Sequence, residues 1–455
     1  MVTLKTVKKT ALHIPLVLIF GVSLMFFETL IAQESQESGR IQEAKQDALS
    51  WLSGQMIPNA TVPLPAQYRR RLILSYKIPP SDIAYPYLFS KSFIYDNALA
   101  IIAFTMAGDF KKAENILGAL ERLATEEGSF WFAYNTHNSW PSQQDNHGAL
   151  KRLGAIAWVG YAVVYYLGKR LEHNHLFLEE DLLAKDYLQF AEKIARFVIS
   201  KQVLNVSDKR YGLITGGDAT YILKTSTDSK SVQEEYQDGE INWVSMEHNI
   251  DTYFFLRDLG RIIKNDQYIE AAELIKKGLF TLWSAENGQL FRGISQSQKI
   301  DRFLPLDGAS WGALFFLSVN EADKAIRSLK ATGNFFHRSG KLEGYAPYYK
   351  EMVYESEAIN RFYYQDNPGK TWKELKIIWG EGSLGVAVAY LRAGYLEKGL
   401  SIINNMLPIQ ENGGFKYASM NIPHQFSVFP SVASTAWFVI ASEIYLNQDT
   451  LFWGN

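Results

Sequence analysis

The sequence predicts an all-α protein built as a closed (α/α)6 toroid, six helical hairpins with inner and outer layers, behind an N-terminal signal or anchor segment. Three observations carry that expectation. Six small-residue-rich apolar segments recur along the chain, most are followed by a short turn and an amphipathic segment, and a Gly-led, aromatic or Leu-bearing loop comes next.

The apolar segments are "DNALAIIAFTMAG" (96 to 108), "GAIAWVGYAVVYYLG" (154 to 168), "NIDTYFFLRDLGRII" (249 to 263), "GASWGALFFLS" (308 to 318), "GSLGVAVAYLRAG" (382 to 394) and "SVASTAWFVIASEIY" (431 to 445). Nearly all are apolar on more than one face, which marks helices packed on most sides. Their partners, such as "FKKAENILGALERLA" and "YLEKGLSIINNML", carry Lys and Glu on one face, as an outer layer does. The loops begin at Glu126, Tyr211, Glu286, Ser339 and Glu411, roughly 50 to 85 residues apart, a period that suits a helical hairpin plus a long loop. "IQEAKQDALSWLSGQM", from Ile41, supplies the twelfth helix. It closes the ring, so the last inner segment needs none of the polar capping that an open solenoid requires.

At 455 residues the length suggests more than one domain, but the repeat places 41–455 in a single toroid, after a segment 1–32 and a polar linker 33–40. Lys5, Lys8 and Lys9 precede the apolar run 11–27, the pattern of an export signal, cleaved after Ala32 or kept as a membrane anchor. Exported, periplasmic or secreted protein is the expectation. A net charge of -2 without runs of like charge argues against a nucleic-acid partner. The absence of cysteine excludes disulfides and thiolate catalysis. A monomer is expected.

Acids fall at one phase of the repeat. Asp96 begins the first inner helix, Glu247 and Asp251 the third; Asp307 precedes the fourth and Glu381 the fifth. Inner helices of a toroid run parallel, so these carboxyl groups converge at one mouth. Helix capping is the competing explanation for each, and most strongly for Asp307 and Asp96. Glu247 stands four residues before Asp251, on one helical face, where mutual repulsion would raise a pKa as a general acid requires. Glu381, between Gly380 and Gly382, can approach a substrate from a permissive loop. Asp145, in "QQDNHGAL", is a further candidate, as a base or as part of a turn.

Trp131, Tyr134, Trp140, Trp243, Trp311, Tyr345 and Trp379 are expected near the cavity mouth, where ring faces can stack on sugars. His248 reads as a hydrogen-bonding wall residue, because "EHNID" lacks the second His of a zinc motif. No metal or cofactor is expected.

With its "YDNALA" first inner helix, "EHNID" segment and "WGEG" loop, the chain resembles the six-hairpin glycosidase superfamily from about residue 40 onward. The resemblance implies an exported glycoside hydrolase acting on a bacterial or environmental polysaccharide, with a β-glucan as first analogue. Carried over, it makes Glu247 the proton donor and Glu381 the base, with Asp96 and Asp251 as sugar-binding or pKa-setting partners. Asp145, His248, Asp307 and the aromatic residues would bind substrate. Internal cleavage with inversion is expected, because acids on separate loops leave room for a water. A polysaccharide lyase would need cationic groups for uronates, and the mouth reads as acidic and Arg-poor. A glycan-binding partner of polysaccharide biosynthesis is the third alternative.

Overall fold

The computed structural model describes residues 36–65, 69–141, 150–174, 181–225, 232–353, 371–422 and 425–454. Contacts divide the chain into Met1–Glu43 and Ala44–Asn455. The expected signal or anchor, 1–32, lies outside the described residues. Helix α1 runs 36–54, so residues 36–40 are helical where a linker was expected. Gln36, Glu37 and Arg40 are good helix formers, and a short polar run does not by itself make a linker.

The second unit is the expected toroid. Its inner helices are α3 (Ile94–Met106), α5 (Leu153–Asn174), α7 (Met246–Ile263), α9 (Leu306–Ser318), α12 (Gly380–Arg392) and α14 (Val432–Asn447). The outer helices are α4 (Phe110–Leu123), α6 (Leu182–Ile199), α8 (Asp266–Phe280), α10 (Ala322–Ala331) and α13 (Leu396–Met406), with residues 44–54 of α1 as the sixth. Single-turn helices α2 (Tyr85–Leu88) and α11 (Trp372–Leu375) lie in connections. Each inner helix packs on the next, from α3 through α5, α7, α9, α12 and α14, and α14 returns to α3.

Apolar pattern decides the layers. In α4 the buried Ala113, Ile116, Leu117 and Leu120 form one stripe at helical spacing, and Lys112 and Arg122 stay on the other side. In α14 every residue from Val432 to Ile444 is buried, which leaves no solvent face. Lys45 of α1 donates to Glu443 of α14 at 2.8 Å, a buried pair that ties the sixth outer helix to the sixth inner one.

The loops after outer helices include short antiparallel hairpins, such as Trp283–Ser284 with Gln289–Leu290 and Gln410–Glu411 with Gly414–Phe415. Their glycines show the outer ring closing. Gly128 and Gly413 have φ of 94° and 91°, in the left-handed region. A Cβ on Gly128 would lie 2.3 Å from the Lys193 carbonyl of α6, and one on Gly413 would lie 2.6 Å from the Asp47 carbonyl of α1. The loop leaving one outer helix therefore rests on the backbone of the next, and the last rests on α1.

Candidate active site

Counted from the first residue of each inner helix, the second positions are Tyr95, Gly154, Glu247, Asp307, Glu381 and Ala433. One turn deeper, the sixth positions are Leu99, Trp158, Asp251, Trp311, Gly385 and Trp437. The ring therefore has an acid layer at its N-terminal mouth and a tryptophan layer beneath. Three acids occupy the same position on three successive inner helices.

Capping does not explain these acids. The N-cap residues of α3, α7, α9 and α12 are Phe93, Ser245, Pro305 and Trp379, and none makes a side-chain cap bond. By contrast, Asp109, Asp181 and Asn265 do cap α4, α6 and α8. Asp96, Glu247, Asp307 and Glu381 sit inside the first turn, where the helix dipole favours negative charge.

A cavity of about 570 Å³ opens over this layer. That volume lies in the range of small-ligand pockets. Trp243, Glu247, His248, Asp307 and Trp379 line it, as does Tyr348, together with Arg292, Asp301, Tyr417 and Phe426. Tyr417 and Phe426 stack at 5.7 Å, with Trp379 set edge-on to both. Asp96, Asp251 and Glu381 are buried behind the lining. Within the site His248 Nδ1, Asp251 Oδ1, Asp307 Oδ1 and Trp379 Nε1 are buried with no hydrogen-bond partner. Such atoms are costly unless a ligand or water meets them.

Burial dominates the electrostatics. It pushes Glu247 and Asp96 up to about 7 and Glu381 up to about 8. Asp251 and Asp307 are raised well above the carboxylate range by burial and then by the Glu247 charge. Hydrogen bonding distinguishes the acids. Glu381 accepts from the Tyr95 hydroxyl, which in turn accepts from the Trp437 indole, and this chain favours its ionised form. Burial is what raises Glu247, and no hydrogen bond opposes it. Burial and the nearby Arg152 hold His248 neutral, down to about 3.

Tryptophans form the floor. Trp158, Trp311 and Trp437 lie 5.9 to 6.0 Å apart, centroid to centroid. Trp453 lies 5.2 Å from both Trp158 and Trp311, and Phe452 packs 5.8 Å from Trp437, so the segment 449–454 fills the lumen below. Gly385 leaves room for the Trp311 indole, since a Cβ there would lie 3.3 Å from its Nε1. The Trp158 indole supplies a hydrogen bond to Asp251.

Not every expected site residue reaches the cavity. Trp311, expected at the mouth, belongs to the floor, because an indole in an all-round apolar helix packs inward. Tyr345 is buried against Phe336 in a hairpin between α10 and α12. Tyr134 is held in a strand pairing Ala133–Asn135 with Lys91–Phe93, and its hydroxyl accepts from the Trp131 N–H. Trp131 has Lys151 over its ring at 5.5 Å, and Trp140 is 69% exposed; neither lines the cavity. Asp145 lies outside the described residues. Arg292, paired with Asp301 at 2.7 Å, was missed, so the wall is less Arg-poor than the sequence suggested. Its only signal was its place in "ENGQLFRGIS", and the strand Gly293–Ile294, paired with Val244–Ser245, brings it beside Glu247. Among the described residues no three His, Asp or Glu side chains group closely enough to hold a metal ion.

No protein-family model matches the sequence, and no curated protein does. Solved structures match its fold. A cellobiose 2-epimerase from Spirochaeta thermophila shares 11% identity with a TM-score of 0.60, covering 92% of this chain and 99% of that one. A glycosidase variant in complex with glucose shares 10% at 0.58, covering 90% and 99%. A GH76 α-mannanase from Bacteroides thetaiotaomicron shares 10% at 0.51, covering 91% and 99%. The architecture these structures share with the chain is the (α/α)6 toroid, and at this identity the likeness is one of fold.

Proposed function

We propose that this chain is a glycoside hydrolase acting on a neutral polysaccharide, with Glu247 as proton donor and Glu381 as the base that activates water. The observation that carries the reading is the acid layer: carboxyl groups at one position of successive inner helices, over a cavity with aromatic walls. Hydrolysis of a glycosidic bond needs one carboxyl group that keeps its proton and one that can lose it. Glu247, raised by burial with no opposing hydrogen bond, suits the donor. Glu381 is raised further by burial, to about 8 against about 7 for Glu247, and takes the base's part because Tyr95 donates to it and favours its charged form. These two acids come from α7 and α12, with α9 between them in the ring, an arrangement that supports inversion through an intervening water. The aromatic wall of Trp379, Tyr417 and Phe426 supports sugar stacking. A β-glucan, internal cleavage, and export directed by residues 1–32 complete the proposal.

A second reading has one observation in its favour. His248 is neutral, lines the cavity beside Glu247, and its Nδ1 has no partner. A neutral imidazole there is suited to moving a proton at a sugar carbon, as epimerisation requires.

One experiment separates these. The parent and Glu247→Gln are incubated with neutral and uronic polysaccharides, and with mannose and cellobiose in heavy water. New reducing ends from a neutral glucan, lost in Glu247→Gln, are the expected result. Deuterium at the sugar C2 would establish the epimerase reading instead. Unsaturated products would mark a lyase, and binding without turnover a glycan-binding protein. Equal hydrolysis by parent and Glu247→Gln would remove Glu247 as donor, and the first anomer seen by proton NMR reports inversion or retention.

A further inference from the structure

Tyr95 occupies, on α3, the helical position that Glu381 occupies on α12 and Glu247 on α7. Its hydroxyl donates to Glu381 Oε1 and accepts from Trp437 Nε1 at 3.0 Å. An indole N–H only donates, so the phenol oxygen must be the acceptor in that bond. The phenol's single proton then goes to the carboxylate. The chain Trp437 to Tyr95 to Glu381 thus has a fixed direction, and it joins three inner helices at the edge between the tryptophan floor and the acid layer. With Oε1 engaged as an acceptor, a proton taken up by Glu381 belongs on its other oxygen.

We propose that Tyr95, backed by Trp437, is a positioning residue that holds Glu381 as an oriented, ionisable carboxylate with Oε2 as its working oxygen, an inference that rests on the reading of Glu381 as base. The balance of the step is simple. Water gives a proton to Glu381 Oε2 as its oxygen bonds the sugar carbon, and Glu247 gives its proton to the departing glycosidic oxygen. Tyr95 exchanges no proton. Burial keeps the phenol itself well above its ordinary value, with the Glu381 charge adding to the effect, so it stays a donor throughout. Other titratable groups acting on the pair are Asp96 from α3, Glu247 from α7 and Asp307 from α9, while Tyr76 and Tyr417 flank it. All these carboxyl groups work against ionisation of Glu381, which leaves Tyr95 and Trp437 as the groups that favour it.

Tyr95→Phe tests this while keeping the ring, whose edge-to-face packing on Trp158 at 5.4 Å phenylalanine preserves. The substrate-free readout is the carboxyl infrared band of Glu381 in carbon-13-labelled protein, assigned by its loss in Glu381→Gln and followed against pH. Its midpoint is expected to rise by about one pH unit in Tyr95→Phe, since one hydrogen bond to a charged group is removed. Trp437→Phe is expected to move it the same way by less. On the neutral glucan that the parent turns over, Tyr95→Phe is expected to lose roughly tenfold in kcat with KM within about twofold. An unchanged midpoint in Tyr95→Phe overturns the positioning role. Full turnover of the glucan by Glu381→Gln overturns the base assignment instead.

Discussion

Buried acids stand at both ends of the inner ring, and the two sets are treated in opposite ways. At the far end Asp449 is almost as buried as the mouth acids, yet its carboxyl is held below the usual range. Lys169 bonds it at 2.8 Å, Tyr165 donates to it at 2.8 Å, and the Phe452 N–H donates at 3.0 Å. Glu443 likewise has Lys45, while Asp258 is paired with Arg257 but still raised by burial. At the mouth burial pushes up the proton affinities of Glu247, Asp251, Asp307 and Glu381, with repulsion from neighbouring carboxylates adding to the last three. One chain thus contains both solutions to the burial of a carboxylate: neutralise it with a cation, or keep its proton. The first stabilises a fold; the second leaves a group poised to react.

Substituting one acid at each end tests the contrast. The largest effect is expected from Glu247→Gln, about 10²–10⁴-fold lower kcat, the usual range for a lost general acid. Its melting temperature should hold or rise, because a repelling carboxyl has gone. Asp449→Asn should do the reverse, with roughly 3 kcal/mol less stability in urea as Lys169 loses its buried partner, and unchanged turnover per folded molecule. Loss of catalysis in Asp449→Asn, or unfolding of Glu247→Gln, would break the division.

The pH dependence follows with smaller amplitude. Glu247 must be protonated, so activity falls as pH rises through about 7; Glu381 must be ionised, so activity falls as pH drops through about 8. The kcat/KM profile should be a narrow bell peaking between those values. Stability has its own sign. Folded-state affinities raised at the mouth give stability that is complete below the ordinary carboxylate range and is lost as pH rises toward about 8. Asp449, lowered, gives stability present above that range and lost in acid. Melting curves across pH should therefore decline on both sides, and Glu247→Gln should flatten only the alkaline side. The smallest effect is expected from Trp140→Ala, whose ring is outside the cavity: less than about twofold in KM on the glucan.

The toroid was legible because its two kinds of helix differ in composition at every repeat. "SVASTAWFVIASEIY" has no polar face and "FKKAENILGALERLA" has one, and burial sorts them accordingly. The convergence of Asp96, Glu247, Asp251, Asp307 and Glu381 was legible from phase alone. Their freedom from capping was not, since it depends on Phe93, Ser245, Pro305 and Trp379 holding the N-cap positions. Loop aromatics were the least legible. Tyr134 and Tyr345 sit on strands whose registers decide which way a ring points, and nothing in "SFWFAYNT" or "KLEGYAP" fixes a register. Tyr95 went unremarked because a tyrosine before an apolar helix looks like core; its position shows only when six helix starts are aligned.

The packed indoles of Trp158, Trp311 and Trp437, with Phe452 and Trp453 beneath, would also set the traffic of the proposed reaction. The lumen is a cul-de-sac. A polymer cannot thread it, so under the proposed function a long substrate would lie across the doorway and a released sugar would leave by the route it entered. Product and fresh substrate then contend for one threshold, and inhibition by product should be competitive.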